Sequence, residues 1–397
     1  MLPPTSEGSR LKAGDTQSVR FPAILQLGWS KVYVHRSSEG LILIDAGPDY
    51  EGSWQSLCGQ LAEHDFSPDD VRHVLITHAH LDHAGLATRW HDLGVRVWIG
   101  EADAAALAAG EDGATAMRAV ARPYLQAQGV PAERFGGGRQ SAVGSRDGGE
   151  GIRRGQESSP SLDRSKVTST SDREAVGAWS WRADAGGPDQ RAAPSGRQRS
   201  TASRMKRGQY EHAGHWPAPL RFPPATDHEI LQEGMMIGGL RVLACPGHTP
   251  GSIAFFDSVN RILYSGDHLL PGITPSPGLS FAQDRRLPCL PQWCRSLRRL
   301  LDLGEVRVMP GHGEPFVDLP SMVERNLAHI EQRARRLLRL LQSRPGSPYE
   351  LLLRLFPHLP EGLLWFKLAE VLGLLDLLQD RQLVLRDGSE FRVASSK

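Results

Sequence analysis

The segment Thr77–Gly85 places three imidazoles and one carboxylate within six consecutive positions: His78, His80, Asp82 and His83. The apolar residues Val74–Ile76 precede this segment and predict a buried strand that ends where the polar residues begin. Neutral imidazole is the commonest zinc ligand in proteins, and carboxylate is a natural co-ligand. A loop that leaves a strand can direct alternate side chains to one point, so His78 and His80 are expected to share an ion. Asp82 and His83 follow at positions from which they can reach a second ion beside it.

The composition indicates a globular protein, because 40% of the residues are hydrophobic and 23% are charged. A length of 397 residues suggests two domains. The net charge of +1 gives no reason to expect a nucleic-acid surface. The cysteines lack CxxC spacing, which argues against a disulfide scaffold or a thiolate zinc site.

We find neither a charged leader followed by an apolar core nor a long apolar run, so we expect no signal peptide, no membrane partner and a cytoplasmic location.

Strands and helices alternate in the first third of the chain. Leu41–Ile44 is an apolar run that the turn residues Asp45–Asp49 interrupt, which is typical of a strand end. Trp54–His64 has apolar residues at helical spacing, Val95–Ile99 predicts a strand, and Ala102–Ala109 is an alanine-rich helix. This alternation predicts a layered α/β fold.

Residues 136–215 differ in composition from the rest of the chain. They are rich in Gly, Ser, Arg and Pro and hold few large apolar residues. Such a segment cannot offset the entropy cost of ordering, so we expect a disordered insertion, better explained as a solvated linker than as an arginine-rich RNA-binding tail. Its abrupt onset also permits an artefact such as translated intron sequence. We also expect residues 1–18 to be a flexible N-terminus.

The chain after the insertion returns to apolar patterns. Strands are predicted at Leu240–Cys245, Ile253–Phe256, Arg261–Ser265 and Val306–Met309, with a helix at Leu297–Leu303. Three of these strands lead into glycine-containing turns with a polar residue: His248, Asp267 and His312. Glycine permits the close backbone approach that a metal-facing loop needs.

The C-terminal residues 319–397 change to a helical pattern. Apolar residues between Met322 and Leu341 share one helical face, and further helices are predicted at Tyr349–Phe356 and Leu363–Leu378. Asp387-Gly388 separates two short strands and predicts a hairpin. Helices followed by a hairpin suggest a small helical, winged-helix-like domain.

Together these motifs resemble those of the metallo-β-lactamase superfamily, over roughly residues 19–318 outside the insertion. The resemblance implies an αββα sandwich, in which two facing sheets are covered by helices and the site lies at one edge. It implies that His78, His80 and His248 hold a first metal ion. By the same resemblance, Asp82, His83 and His312 hold a second ion, Asp267 bridges both, and Asp45 supports the site.

The resemblance also implies the chemistry. Two Zn²⁺ ions about 3.5 Å apart, or iron or manganese in their place, lower the pKa of a shared water. The resulting metal-bridging hydroxide attacks an ester, thioester, lactone, amide or phosphodiester, and the metals stabilise the oxyanion. Asp82 is the candidate catalytic residue, since it can accept or pass a proton beside the nucleophile.

Within the superfamily the chain most resembles the lactamase-β-like and glyoxalase II-like branch with a winged-helix-like C-terminus. That likeness favours hydrolysis of a small-molecule ester or thioester; β-lactam hydrolysis is disfavoured because Asp267 stands where β-lactamases usually carry Cys or Ser. One alternative is a metal-dependent endoribonuclease that binds RNA in a basic groove formed by Arg285, Arg286, Arg295, Arg298 and Arg299, although a solvated helix face explains these arginines better. Others are a mononuclear iron enzyme of the persulfide-dioxygenase type and a metal-free binding protein.

Two residues near the motifs have open roles in the sequence. Cys245 could offer a thiolate to a metal, but its strand-end position favours the core. His268, which follows Asp267 directly, is a hydrogen-bonding support for the site, a packing residue or a solvent-exposed residue.

Overall fold

The structure is a computed structural model that describes residues 17–22, 29–135, 220–275, 277–283, 285–360 and 363–394. The whole of the predicted insertion and most of the predicted flexible N-terminus lie outside these ranges. Contacts divide the chain into one compact unit of residues 1–130 and 180–397 and a second unit of residues 131–179. The described part of the second unit contains one 3-10 helix, Ala132–Phe135. All other elements below belong to the first unit.

The first sheet has six strands within the described residues, ordered as they occur in the chain. They are β1 (Gln17–Pro22), β2 (Trp29–Ser37), β3 (Gly40–Ile44), β4 (Val71–Leu75), β5 (Arg96–Gly100) and β6 (Glu229–Leu231). Strands β1 to β3 are antiparallel, and β3 to β6 run parallel. The segments that follow β3, β4 and β5 therefore begin at the same edge of the sheet, where ligands bind in open α/β sheets.

The second sheet contains β7 (Met236–Ile237), β8 (Leu240–Ala244), β9 (Ile253–Asp257), β10 (Ile262–Gly266) and β13 (Arg307–Pro310). Its order is β13-β10-β9-β8-β7, and β10 and β13 are its parallel pair. A small ribbon of β11 (Phe281–Ala282) and β12 (Arg285–Arg286) lies between β10 and β13 in the chain. His248 lies in the β8–β9 connection, Asp267 follows β10, and His312 follows β13.

The two sheets face each other across a shared apolar core. Alternate residues of β3 divide between two layers, because Ile42 and Ile44 join the core between the sheets while Leu41 and Leu43 join the core under the helices. The inter-sheet core is completed by side chains of both sheets, among them Tyr33, Leu75, Val242, Phe255, Tyr264 and Met309. Burying each such side chain contributes about 1.5–3 kcal/mol relative to leaving it exposed.

Helices cover the sheets on their outer sides. The first group is α1 (Ser53–Ala62), α2 (Leu81–Ala84), α3 (Ala87–Asp92) and α4 (Glu101–Ala127). Leu57, Trp90 and Leu107 from three of these helices share the core with the outer face of β3. Helix α5 (Cys289–Leu300) lies against the second sheet's turns, since Ser296 donates to the carbonyl of Pro246 at 2.9 Å. The predicted αββα sandwich is therefore confirmed.

The C-terminal part contains α6 (Leu319–Ser343), α7 (Pro348–Leu355), α8 (Leu364–Asp380) and the hairpin of β14 (Val384–Asp387) and β15 (Glu390–Val393). Helix α7 begins with a capping box in which Ser347 and Glu350 satisfy each other's backbone N–H groups. This order of helices and hairpin agrees with the prediction. The winged-helix-like character of this part and the boundary at residue 319 remain predictions.

The predicted elements are present, with differences at their ends. Helix α4 continues well past Ala109 and contains a kink at Gly110, whose φ is 53° and ψ −134°. Helix α5 begins at Cys289 rather than at Leu297, because Pro291 falls in its first turn, where proline removes no helical hydrogen bond. No helix in the described part of the chain combines the length and apolarity that crossing a membrane requires.

Candidate metal centre

The polar run after β4 is folded into a short loop and the helix α2. His80 is the residue at which α2 begins, and Asp82 and His83 occupy its first turn. The backbone N–H groups of Ala46 and Gly47 both donate to the carbonyl of His83, at 2.7 and 3.0 Å. These bonds attach α2 to the turn after β3, so two adjacent strand ends fix the loop.

His78, His80 and His248 form the first triad, whose potential ligand atoms all lie within 4.8 Å of one another. Nε2 of His78 lies 2.9 Å from Nδ1 of His80, and Nε2 of His248 lies 3.2 Å from that same nitrogen. Two imidazole nitrogens bound to one tetrahedral zinc, each at about 2.0–2.1 Å, are about 3.3 Å apart. The spacing of this triad therefore fits a single cation.

Asp82, His83 and His312 form the second triad, also within 4.8 Å of one another. Nε2 of His312 lies 3.1 Å from Oδ2 of Asp82 and 3.4 Å from Nε2 of His83. The turn that carries His312 is fixed by its neighbours, because Lys31 N–H donates to the carbonyl of Gly311 at 3.0 Å. A side chain at Gly311 would enter the centre, since a Cβ there would lie 2.4 Å from Oδ1 of Asp267.

Asp267 lies between the two triads. Its Oδ1 is 3.4 Å from Nε2 of His83, and its Oδ2 is 3.4 Å from Nε2 of His312 and 3.8 Å from Nε2 of His248. Oδ1 is buried and has no hydrogen-bond partner among the described residues. A buried carboxylate oxygen without a donor is costly unless a cation compensates it, which fits a position that bridges two ions.

The first triad consists of neutral imidazoles. Burial lowers the pKa of His78 well below its usual value, lowers the pKa of His80, and lowers the pKa of His248 to about 3. Neighbouring histidines add to the effect on His78 and His248. Neutral rings keep the lone pairs that a metal ligand must offer.

The second triad is an ion-paired group in the ion-free protein. Burial acts to lower the pKa of His83 and His312, but the charges of the surrounding carboxylates outweigh it. The pKa of His83 is raised well above its usual value, and that of His312 is raised to about 9. Burial acts to raise the pKa of Asp82, but His83 and His312 outweigh it and the net pKa is lowered. A cation bound here would replace the protons of the two histidines.

Two carboxylates outside the triads hold the loops that carry them. Asp45 accepts from the backbone N–H of Thr77 at 2.7 Å and lies 2.7 Å from Nδ1 of His83, as expected for a supporting residue. The second carboxylate, Asp103, was not predicted; it contacts residues beside the first triad. No signal in the sequence points to it, because it lies in an alanine-rich helix and carries no motif.

The six triad residues and Asp267, all predicted from the sequence, thus lie together. The two further candidates, Cys245 and His268, do not join them. Cys245 is 2% exposed and lies in the core as expected, and burial raises the pKa of its thiol to about 12. His268 packs near Trp293, with ring centroids 6.0 Å apart. Neither ring nitrogen of His268 has a partner among the described residues, so packing describes it better than support of the site.

The arginines considered for an RNA groove are mostly engaged with acidic residues. Arg286 is buried in an ion pair with Asp376. Arg299 pairs with Glu233 at 3.1 Å. Arg295 pairs with Asp380 at 3.4 Å, and like Arg298 and Arg299 it is exposed on α5. Pairing neutralises the charge that phosphate contacts would need. The exposed Arg295, Arg298 and Arg299 therefore agree better with a solvated helix face, whereas Arg285 and Arg286 lie in β12.

The chain is similar to curated proteins over part of its length. It is 33% identical over 159 residues to the "Probable metallo-hydrolase YqjP" of Bacillus subtilis (strain 168), which covers 39% of this chain and 50% of that protein. It is 33% identical over 99 residues to the "Acyl-coenzyme A thioesterase MBLAC2" of Gallus gallus, which covers 24% of this chain and 34% of that protein. The chain thus spans about half, or less, of the length of these relatives.

A solved structure and a family model cover more of the chain. A metallo-beta-lactamase family protein from Thermus thermophilus matches with a TM-score of 0.63 over 95% of this chain and 98% of its own, at 23% identity, which shows a shared fold. The model of the Metallo-beta-lactamase superfamily matches residues 30–157 and 191–312, more than half of the chain. The match includes the segments that carry all seven clustered side chains. The chain belongs to the metallo-β-lactamase superfamily.

Proposed function

We propose that the protein is a metal-dependent hydrolase of a small-molecule ester or thioester, with two divalent ions held by the triads. The observation that carries the proposal is the convergence of two triads on the carboxylate of Asp267. Membership of the superfamily and the metallo-hydrolase relative support a hydrolase. The thioesterase among the relatives supports the thioester bond as the first substrate class to test.

The ligand set favours zinc as the resident ion. Five imidazoles and two carboxylates suit zinc, although iron and manganese accept the same donors. Bound divalent ions supply an activated water and polarise the carbonyl oxygen of the substrate. His78, His80 and His248 would hold one ion, Asp82, His83 and His312 the other, and Asp267 both.

Asp82 is the residue that we propose to move a proton. Its side chain is 16% exposed, whereas those of His83 and His312 are 0% and 3% exposed. A carboxylate that reaches both the buried centre and solvent can accept a proton from the attacking water and release it to bulk water or to the leaving group. The hydroxyl of Ser30 donates to the backbone carbonyl of Asp82 at 3.0 Å, which holds this residue in place.

Substrate would approach from the side of His80 and Asp82. These two residues are partly exposed, while the other clustered side chains are buried. The strands and glycine turns behind the centre exclude water from its far side, which strengthens electrostatic interactions at the reacting atoms.

The test is a comparison of substrate classes with the zinc-loaded protein. We expect release of free thiol from short-chain acyl-coenzyme A thioesters, loss of that activity on chelation, and its return when zinc is added back. The His91→Ala variant changes an exposed histidine on α3 and should retain full activity. Cleavage of RNA without thioester hydrolysis, or activity that survives complete metal removal, would contradict the proposal.

A further inference from the structure

Asp103 joins the two loops that carry the first triad. It lies in the first turn of α4 and is 3% exposed. Its Oδ2 accepts from the backbone N–H of Ala79 at 3.0 Å and from the hydroxyl of Thr249 at 2.6 Å. Its Oδ1 accepts from the backbone N–H of Gly251 at 2.8 Å. One buried carboxylate therefore satisfies donors from two segments that are far apart in the chain.

The donors are immediate neighbours of the triad histidines. Ala79 separates His78 from His80, and Thr249 directly follows His248. The loops must keep a fixed separation for the nitrogens of all three rings to converge, and Asp103 spans that separation.

Close backbone packing accompanies these hydrogen bonds. A Cβ on Gly251 would lie 2.4 Å from the backbone nitrogen of Asp103, and a Cβ on Gly100 would lie 2.1 Å from the carbonyl oxygen of Gly251. The start of α4 and the loop after His248 thus touch without space for a side chain. This contact fixes the carboxylate relative to the loop after His248.

We propose that Asp103 is a positioning residue for the first triad, which keeps the loops of His78, His80 and His248 in the arrangement that binds a cation. The inference rests on the proposed metal assignment, but it does not depend on the substrate. Asp45 supports the second triad, since it contacts the ring of His83 directly. Asp45 also accepts from the backbone N–H and the hydroxyl of Thr77, which precedes His78, so it touches the loops of both triads. Asp103 contacts only residues beside the first triad.

The carboxylate is required because it offers two acceptor oxygens. Asparagine has nearly the same shape but only one acceptor oxygen, and its NH₂ group cannot receive a hydrogen bond. In the Asp103→Asn variant the one acceptor oxygen could serve Ala79 and Thr249 or serve Gly251, but not all three donors. Because the variant keeps the size of the side chain, any loss of zinc affinity reports the lost hydrogen bond and not a change in packing.

The experiment measures zinc affinity in two backgrounds that each retain one triad. In His312→Ala only the first triad is intact, and in His80→Ala only the second. Loss of a group that orients metal ligands typically weakens metal affinity about 10–100-fold, so we expect Asp103→Asn to raise the zinc Kd by that factor in the His312→Ala background. In the His80→Ala background the Kd should stay within about twofold. The Co²⁺ absorption spectrum should change only in the His312→Ala background.

The matched control is Asp112→Asn, the same substitution at an exposed position on the same helix. It should alter neither affinity. If Asp103→Asn fails to fold, a second pair of variants tests the same hydrogen bonds. Thr249→Val removes the hydroxyl that donates to Asp103, so zinc affinity of the first triad should fall. Thr249→Ser retains that hydroxyl, so the affinity should recover. Equal weakening in both backgrounds, or no weakening, would overturn the positioning role. Failure of both backgrounds to bind zinc would overturn the metal assignment itself, and this inference with it.

Discussion

The two triads use different means to hold their imidazoles. The first triad contains no carboxylate, its rings are neutral, and its support by Asp103 acts on the backbone of the loops. The second triad includes Asp82, and its support by Asp45 acts on the ring of His83 itself. The first is therefore organised by loop geometry and the second by charge. Equivalent substitutions in the two triads should consequently differ in effect.

The largest loss is expected from His80→Ala in the first triad. It removes the nitrogen that lies closest to both other rings, so the number of zinc ions per chain should fall from about two to about one. Losing several kcal/mol of transition-state stabilisation corresponds to a loss of about 10³-fold in kcat/KM. Metal analysis and kinetics measure both. Because His80 is partly exposed, the melting temperature of the ion-free protein should change little; retained activity would contradict the site assignment.

A smaller loss is expected from His312→Ala in the second triad. It also leaves about one zinc ion per chain, but that ion remains at the first triad and can still polarise the substrate. We expect kcat/KM to fall about 10²-fold, which corresponds to about 3 kcal/mol. A loss equal to that of His80→Ala would show that the two triads contribute alike. Steady-state kinetics on both variants in the same buffer decides between these outcomes.

The Asp45→Asn variant tests whether charge organises the second triad. Asp45 has a φ of 71°, and asparagine tolerates this left-handed backbone as well as aspartate does. The variant therefore removes the charge beside His83 without straining the turn. Zinc affinity of the second triad should fall about 10–100-fold. That of the first should fall less, because the asparagine oxygen can still accept from the backbone N–H of Thr77 beside His78. Zinc titration in the His80→Ala background measures the affinity of the second triad, and titration in the His312→Ala background measures that of the first. A loss confined to the first triad would contradict the view that charge organises the second.

The smallest effect is expected from pushing the loop of the first triad away from α4. In Gly251→Ala the new Cβ meets the backbone of Asp103, and such overpacking costs about 1–3 kcal/mol of unfolding free energy. The matched control is Gly59→Ala in α1, where a Cβ meets nothing within 4 Å. Gly59→Ala should instead stabilise the protein by about 0.5–1 kcal/mol. Urea unfolding of the ion-free proteins measures both, and equal stability of the two variants would exclude the close packing.

Much of this architecture is encoded locally. The run Leu41–Ile44 predicted β3 because a strand buried on both faces is apolar throughout, and glycine turns marked where β8, β10 and β13 end. The seven clustered residues could be named from their short motifs and from the family resemblance. The pairing of strands into two sheets could not be derived from periodicity, because it depends on contacts between distant segments.

Asp103 shows where sequence reasoning stops. Its partners are 24, 146 and 148 residues away in the chain, and its own surroundings are those of an ordinary helix. The start of α5 at Cys289 was also not predicted; Pro291 lies in its first turn, where proline is tolerated. In both cases the role of the residue depends on its contacts in the folded protein, which the local sequence does not specify.

The central claim is that the two triads hold two metal ions on either side of Asp267. An anomalous difference map from crystals of the zinc-loaded protein, measured at the zinc absorption edge, tests it most directly. We expect two peaks, one in contact with His78, His80 and His248 and the other with Asp82, His83 and His312. Peaks at other positions, or a zinc-loaded crystal with no peak at either triad, would contradict the account.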